Sequence, residues 1–163
     1  MTKTYRTGAV GALLDEYERA LADLQNTIAD ISNDELTAIA DTKTTNPNCR
    51  SVQAILAHVV IAGYGYALYI GRLSGEEFDY PGKVLRLTIA GYHTDLNSVF
   101  AFTTETFKTI HDNQLEEFET TRKIKTFWGQ FYDIEQITEH AIVHILRHRR
   151  QIEKFKIILR GQE

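Results

Sequence analysis

Apolar residues recur every three or four positions along four long stretches of the chain, with polar residues on the opposite face. This spacing predicts amphipathic α-helices, because residues three and four apart lie on one side of a helix. The predicted helices cover about residues 8–31, 51–73, 84–111 and 133–159. Ser51 supplies an N-cap for the second helix, and Asp133 with Gln136 supplies a capping box for the fourth.

The segments between these stretches predict connections rather than further core elements. Residues 32–35 have the pattern of a short capped turn, and the polar residues 42–48 and 74–82 predict loops. Residues 118–132 suit either a short extended excursion or an irregular loop. Four amphipathic segments without a strand ladder predict an all-α fold, an antiparallel four-helix bundle. Since no repeat or linker divides the chain, we expect one domain over residues 1–163.

Composition and charge indicate a globular protein that binds neither nucleic acid nor a membrane. The hydrophobic fraction of 43% and charged fraction of 25% are typical of a globular protein. A net charge of −4 gives no broad attraction for nucleic acid or an anionic membrane, so we expect neither partner. The start lacks the apolar core of a signal peptide. We also expect no apolar stretch of transmembrane length, because the run 55–70 is broken by His58 and glycines. The single cysteine, Cys49, excludes an internal disulfide and suits a cytoplasmic protein.

Histidines supply the candidate chemistry. His140, His144 and His148 recur every fourth residue in the predicted fourth helix. On a helical wheel, His148 falls within the apolar stripe and His144 on its shoulder, while His58 flanks the apolar stripe of the second helix. Imidazole is the commonest protein ligand for zinc and similar ions. We therefore predict a divalent-ion site formed by His58, His144 and His148, with open positions for water or substrate.

The remaining histidines receive different interpretations. His140 and His148 lie roughly 12 Å apart along a straight helix, too far to share one ion easily. His140 is therefore an alternative partner of His144, or a residue at the rim of the site. His93 and His111 fall at the margin of the third predicted helix and are interpreted as boundary residues.

Aromatic residues near these histidines are candidate walls for a small apolar pocket. They are Tyr66, Tyr69, Trp128 and Phe131. The alternative interpretation of each of these residues is that it packs in the hydrophobic core. The sequence identifies no catalytic acid, base or nucleophile, because it contains no protease zinc motif, phosphate-binding loop or nucleophile elbow.

Two motifs resemble those of the DinB-like metalloprotein superfamily. The first is SVQAILAH, which runs from Ser51 to His58, and the second is HILRHRRQI, which runs from His144 to Ile152. The family's usual second motif ends in His-Arg-Gly-Gln, and Arg150 stands here in place of the glycine. The order of the helices and the loop ahead of the fourth helix also match the family pattern.

This resemblance implies an up-down-down-up four-helix bundle that binds zinc or nickel through His58, His144 and His148. Relatives include thiol S-transferases and a thiol-dependent maleylpyruvate isomerase, and homodimers are common among them. The expected function is therefore that of a metal-dependent thiol transferase or hydrolase, in which the ion activates a small-molecule thiol or water for attack on an electrophile. Two alternatives stay open: a non-enzymatic metal-binding stress-response protein, as the family name from DNA-damage induction suggests, and a metal-free bundle that acts through a partner.

Overall fold

Four long helices form the bundle in a computed structural model, which describes residues 4–75 and 79–161. The described helices are α1 (Gly8–Ile28), α2 (Asn33–Thr37), α3 (Val52–Leu73), α4 (Ile89–Thr106) and α5 (Ile134–Leu159). Both α1 and α3 contact α4 and α5, so α1 and α3 stand at opposite corners of the bundle. The all-α prediction is confirmed. Residues 76–78 of the predicted loop 74–82 lie outside the described part.

Capping residues fix the two helices that carry the candidate site. The Ser51 hydroxyl accepts a hydrogen bond from the Ala54 amide, and α3 starts at the next residue. Asp133 and Gln136 form the predicted capping box at the start of α5. Such caps satisfy backbone N–H groups that the first helical turn leaves unpaired. The predicted bounds of α3 and α5 are confirmed to within one residue.

Helix α4, which corresponds to the third predicted helix, is shorter than the sequence predicts. The prediction of residues 84–111 was wrong at both ends, because α4 covers Ile89–Thr106. Thr88 caps the helix by accepting from the Gly91 amide. The preceding segment instead forms an exposed strap, in which Arg86 pairs with Asp95 and its amide donates to the Tyr92 hydroxyl. The apolar period continued through a segment that tertiary contacts hold outside the helix.

The same shortening moves one histidine out of the helix. A 3₁₀ turn, Phe107–Thr109, ends α4, and His111 lies beyond it at an exposed position. The expectation that His111 lies at the margin of this helix was wrong. His93 is half-buried on α4, in agreement with its predicted boundary position. The first helix also ends early, at Ile28, before the capped turn that forms α2.

A short hairpin covers the α3–α5 side of the bundle. Its strands are β1 (Ile124–Lys125) and β2 (Phe131–Tyr132), which pair antiparallel. β1 contacts α3 and β2 contacts α5. Gly129 has a φ of 88° in the connecting turn, a conformation that favours glycine. Of the two predictions for residues 118–132, the extended excursion is confirmed at these strands.

The most apolar helix lies largely inside the bundle. α3 is long and apolar enough to cross a membrane, and 56% of that window is buried. The expectation that no apolar stretch reaches this length was therefore wrong for α3. The core helix of a helical bundle can match a membrane span in length and composition. Helix α3 packs against both α4 and α5, as a core helix does.

A close helix contact gives a first testable prediction. A Cβ atom added at Gly63 would lie 2.5 Å from Val99 Cγ1 and 3.3 Å from the Tyr17 hydroxyl. Because a β-branched side chain has little freedom to move, we expect Gly63→Leu to lower the free energy of unfolding by about 2–3 kcal/mol. Urea denaturation measures this change. The control Gly82→Leu, where nothing lies within 4 Å, should change it by less than about 0.5 kcal/mol.

Candidate metal centre

Three imidazole rings from α3 and α5 meet in the bundle. The Nε2 atom of His144 lies 2.9 Å from Nε2 of His58 and 3.2 Å from Nε2 of His148. The candidate ligand atoms of the three residues all lie within 4.8 Å of one another. His144 and His148 are buried, and His58 is half-buried. The structure thus brings together the three residues predicted from the sequence.

The spacing of these nitrogen atoms fits a common ion. Zinc–nitrogen bonds of about 2.0–2.1 Å at tetrahedral angles separate two ligand nitrogens by roughly 3.3 Å. The two Nε2–Nε2 distances from His144 are slightly shorter than this value, and the third pair of ligand nitrogens lies within 4.8 Å. A small movement of the rings would accommodate a cation. The group could therefore hold a divalent ion through three neutral donors.

Gln151 orients one of the three rings. Its side-chain oxygen lies 3.1 Å from His148 Nδ1. Because an amide oxygen only accepts hydrogen bonds, Nδ1 carries the proton and Nε2 presents a lone pair to the cluster. No such role was predicted for Gln151. Its position three residues after His148 on one helix was the signal that could have identified it.

Burial keeps the three rings neutral. It lowers the pKa of His58 to about 4 and that of His144 to about 2, and neighbouring positive charge adds to both effects. Burial also lowers the pKa of His148, although the hydrogen bond to Gln151 opposes this shift. A metal ligand must be deprotonated, so neutral imidazoles are ready to bind an ion at pH 7.

These shifts predict a pH-dependent stability for the metal-free protein. Between pH 7 and pH 5 the unfolded chain binds more protons than the folded chain, because the folded pKa values lie below the ordinary 6.5. Stability is therefore full above about pH 6.5 and is lost as the pH falls. After allowance for solvent screening, we expect a loss of about 2 kcal/mol by pH 5.

Urea denaturation at each pH, in the presence of a chelator, measures this loss. Paired carboxylates such as Asp30 and Glu35 contribute little in this range, because their ordinary pKa values are 3.8 and 4.5. The His144→Ala variant should lose clearly less stability over the same interval. Equal losses in both proteins would contradict the assignment.

An aromatic cavity of about 460 Å³ opens beside the cluster. His58 and His144 form part of its wall. The other walls are mainly apolar and come from α3, the hairpin turn and the loop before α4: Ile61, Ala62, Gly65, Tyr66, Tyr69, Tyr80, Phe127 and Trp128. We call this space the aromatic cavity. Its size falls within the range of small-molecule sites.

Three of the four predicted wall residues line the aromatic cavity, and one does not. Tyr66, Tyr69 and Trp128 are part of the wall. Phe131 is absent from it, because its ring lies on the outer side of β2, 5.9 Å from the Lys125 ammonium. The wall includes Phe127 instead, which precedes Trp128 in the hairpin turn. Phe127 borders the aromatic cavity although its side chain is 90% exposed, so residue type alone did not reveal which aromatic side chains form the wall.

His140 lies at the edge of the aromatic cavity, outside the three-nitrogen cluster. Its ring stacks on Trp128 with centroids 5.6 Å apart, and its Nδ1 lies 3.4 Å from the Tyr132 hydroxyl. Of the two roles predicted for His140, this position corresponds to the rim of the site. The helical rise separates it from His148, in agreement with the predicted distance of roughly 12 Å along the helix.

Helical architecture and a three-histidine cluster together define a class of bundle protein with a candidate metal centre. A family model described as "DinB family" matches residues 1–155, so the chain belongs to the DinB family. No curated protein shows a significant match to the chain. Family and cluster agree on a DinB-like protein with a group that could bind a divalent ion.

Proposed function

We propose that this protein is a metal-dependent thiol S-transferase that joins a low-molecular-weight thiol to an electrophilic substrate. His58, His144 and His148 would hold the ion, with zinc or nickel as the candidates. One observation carries the proposal: two rings of the three-histidine cluster also form the wall of the aromatic cavity. A purely structural ion site needs no adjoining cavity.

The ligand set determines what chemistry the site favours. A bound divalent ion supplies Lewis acidity, which lowers the pKa of a neighbouring thiol or water. Because all three protein ligands are neutral, they leave the charge of the ion undiminished. The site therefore favours an anionic ligand such as a thiolate at an open position.

The aromatic cavity favours an uncharged electrophile with a flat apolar body. Its wall contains no Asp, Glu, Lys or Arg side chain among the described residues. Two tyrosine hydroxyls are already engaged, since Tyr69 accepts from the Phe127 amide and Tyr80 donates to the Ile61 carbonyl. The surface left to a ligand is mostly aromatic faces, which bind apolar groups and exclude water.

The reaction needs no oxidant or reductant. The thiol loses its proton, its sulfur forms a bond to the electrophilic carbon, and the bond from that carbon to the leaving group breaks. The leaving group departs with the electron pair and takes up a proton. The protein contributes by holding both reactants in close contact, which removes much of the entropic cost of a bimolecular reaction.

A conjugation assay tests this proposal. Untagged protein loaded with zinc or nickel is mixed with 1-chloro-2,4-dinitrobenzene and a panel of small thiols, and thioether formation is followed by absorbance. We expect catalysis that falls at least about a hundredfold in His144→Ala, since loss of a ligand removes the ion. His93→Ala, a half-buried histidine outside the cluster, is the matched control and should retain activity.

Two outcomes would count against the proposal. One is the absence of catalysis with every thiol in the panel, for either ion. The other is an activity that His144→Ala or a chelator leaves unchanged.

A further inference from the structure

A second cavity, of about 770 Å³, opens along α5 beside the cluster. His148 lines this cavity, whereas His58 and His144 line the aromatic cavity. The three-histidine cluster therefore lies between two separate spaces. The side chains of Arg147, Arg150 and Lys154 line the second one, which we call the basic groove.

The basic groove carries an excess of positive charge. Arg147, Arg150 and Lys154 are exposed and form no ion pair with any residue of the described ranges. Among the described residues, one acidic side chain lines the groove, Glu153, which forms an ion pair with Arg149 at 3.4 Å. Like charges three and four residues apart on one helix repel one another. A bound anion would remove this repulsion.

The groove adjoins the cluster. His148, a residue of the cluster, lines the groove together with Arg147 and Arg150. An anion held in the groove would therefore sit next to the candidate ion site. By contrast, no Asp, Glu, Lys or Arg side chain among the described residues lines the aromatic cavity.

We propose that the basic groove binds the carboxylate end of the low-molecular-weight thiol, while the aromatic cavity holds the electrophile; this inference rests on the proposed function. A guanidinium group presents a planar fork of donors that matches a carboxylate. Arg150 and Lys154 would hold this end, with Arg147 nearest the cluster. The two substrates would thus enter from separate spaces and meet at the histidines.

The only cysteine of the chain provides a direct reporter, because Cys49 also lines the basic groove. Its alkylation by iodoacetate, an anion, is compared with that by neutral iodoacetamide. We expect the groove to raise the iodoacetate-to-iodoacetamide rate ratio at least about threefold above that of free N-acetylcysteine. In the double variant Arg150→Gln, Lys154→Gln the ratio should return to within about twofold of the free thiol.

Protection of Cys49 then tests which anion the groove accepts. S-methylglutathione carries carboxylates but no free thiol, so it cannot bind an ion through a thiolate. We expect it to slow the alkylation of Cys49 by iodoacetamide at least threefold. In the double variant, the concentration that gives half-maximal protection should rise about fivefold or more, since each charge-assisted contact raises the affinity by up to about tenfold. Inorganic phosphate serves as the competing anion. Lys108→Gln, a remote exposed lysine, is the control.

The outcomes separate this inference from the proposed function. In the conjugation assay, a higher KM for the thiol in the double variant, with an unchanged KM for the electrophile, would support thiol binding in the basic groove. The inference would be overturned, even if conjugation occurs, if the double variant changed neither the iodoacetate-to-iodoacetamide rate ratio nor the protection of Cys49 by S-methylglutathione. Stronger protection by phosphate than by S-methylglutathione would also overturn it. Protection by S-methylglutathione without any conjugation would retain the carboxylate site but reject its role as a thiol site, together with the proposed function.

Discussion

The His144→Ala variant is expected to lose metal binding, from about one equivalent of zinc or nickel per chain to less than about a tenth. His144 Nε2 is the nitrogen that lies close to both other rings, at 2.9 and 3.2 Å. Removing it leaves two donors on separate helices, which cannot complete a three-nitrogen site. Metal analysis of untagged protein after gel filtration measures the stoichiometry.

The His93→Ala variant is the control for the metal analysis. His93→Ala removes an imidazole that belongs to no cluster, so this variant should bind as much metal as the unmodified protein. Comparable metal content in His144→Ala would mean that the ion binds elsewhere. The use of untagged protein matters, because an affinity tag of histidines would supply competing ligands.

Removal of the ion by a chelator should lower the melting temperature by about 8–16 °C. An ion that binds only the folded state at a thousand times its Kd stabilises that state by about 4 kcal/mol. A chain of this size gains roughly 2–4 °C per kcal/mol. The cluster joins α3 to α5, so the effect should extend to the whole bundle. Circular dichroism with and without chelator gives the shift.

This measurement also separates the two metal-dependent functions. His144→Ala should melt at one temperature whether chelator is present or not. A melting temperature that the chelator leaves unchanged in the unmodified protein would contradict folded-state ion binding. A large shift without any thiol conjugation would instead favour a non-enzymatic protein in which the ion braces the helices.

The helices that carry the site could be predicted because local signals specify them. Ser51 and Asp133 cap α3 and α5, and the apolar period continues unbroken behind each cap. The apolar period before α4 was misleading, because it runs on through residues 84–88. There the Arg86–Asp95 ion pair and the Tyr92 hydroxyl hold the chain outside the helix. The Thr88 cap and the pairing of Arg86 with side chains of the first turns of α4 decided that boundary.

The residues of the candidate site could also be predicted only in part from local signals. A four-residue spacing on an apolar flank was enough to select His144 and His148, since helix geometry places them on one side. His58 was selected by its place beside the apolar stripe of the second helix, and the family resemblance implied the same set. Its distance from the other two depends on how α3 packs against α5, which a helical wheel does not give. The aromatic cavity was less predictable. Tyr80 and Phe127 reach it from loops, whose course no period describes.

Anomalous diffraction from a crystal of the metal-loaded protein tests the three-nitrogen site most directly. We expect one peak at the absorption edge of the bound metal, about 2.0–2.1 Å from Nε2 of His58, His144 and His148 for zinc. A map of well-ordered rings without a peak between them, or with the peak bound to other side chains, would contradict this account.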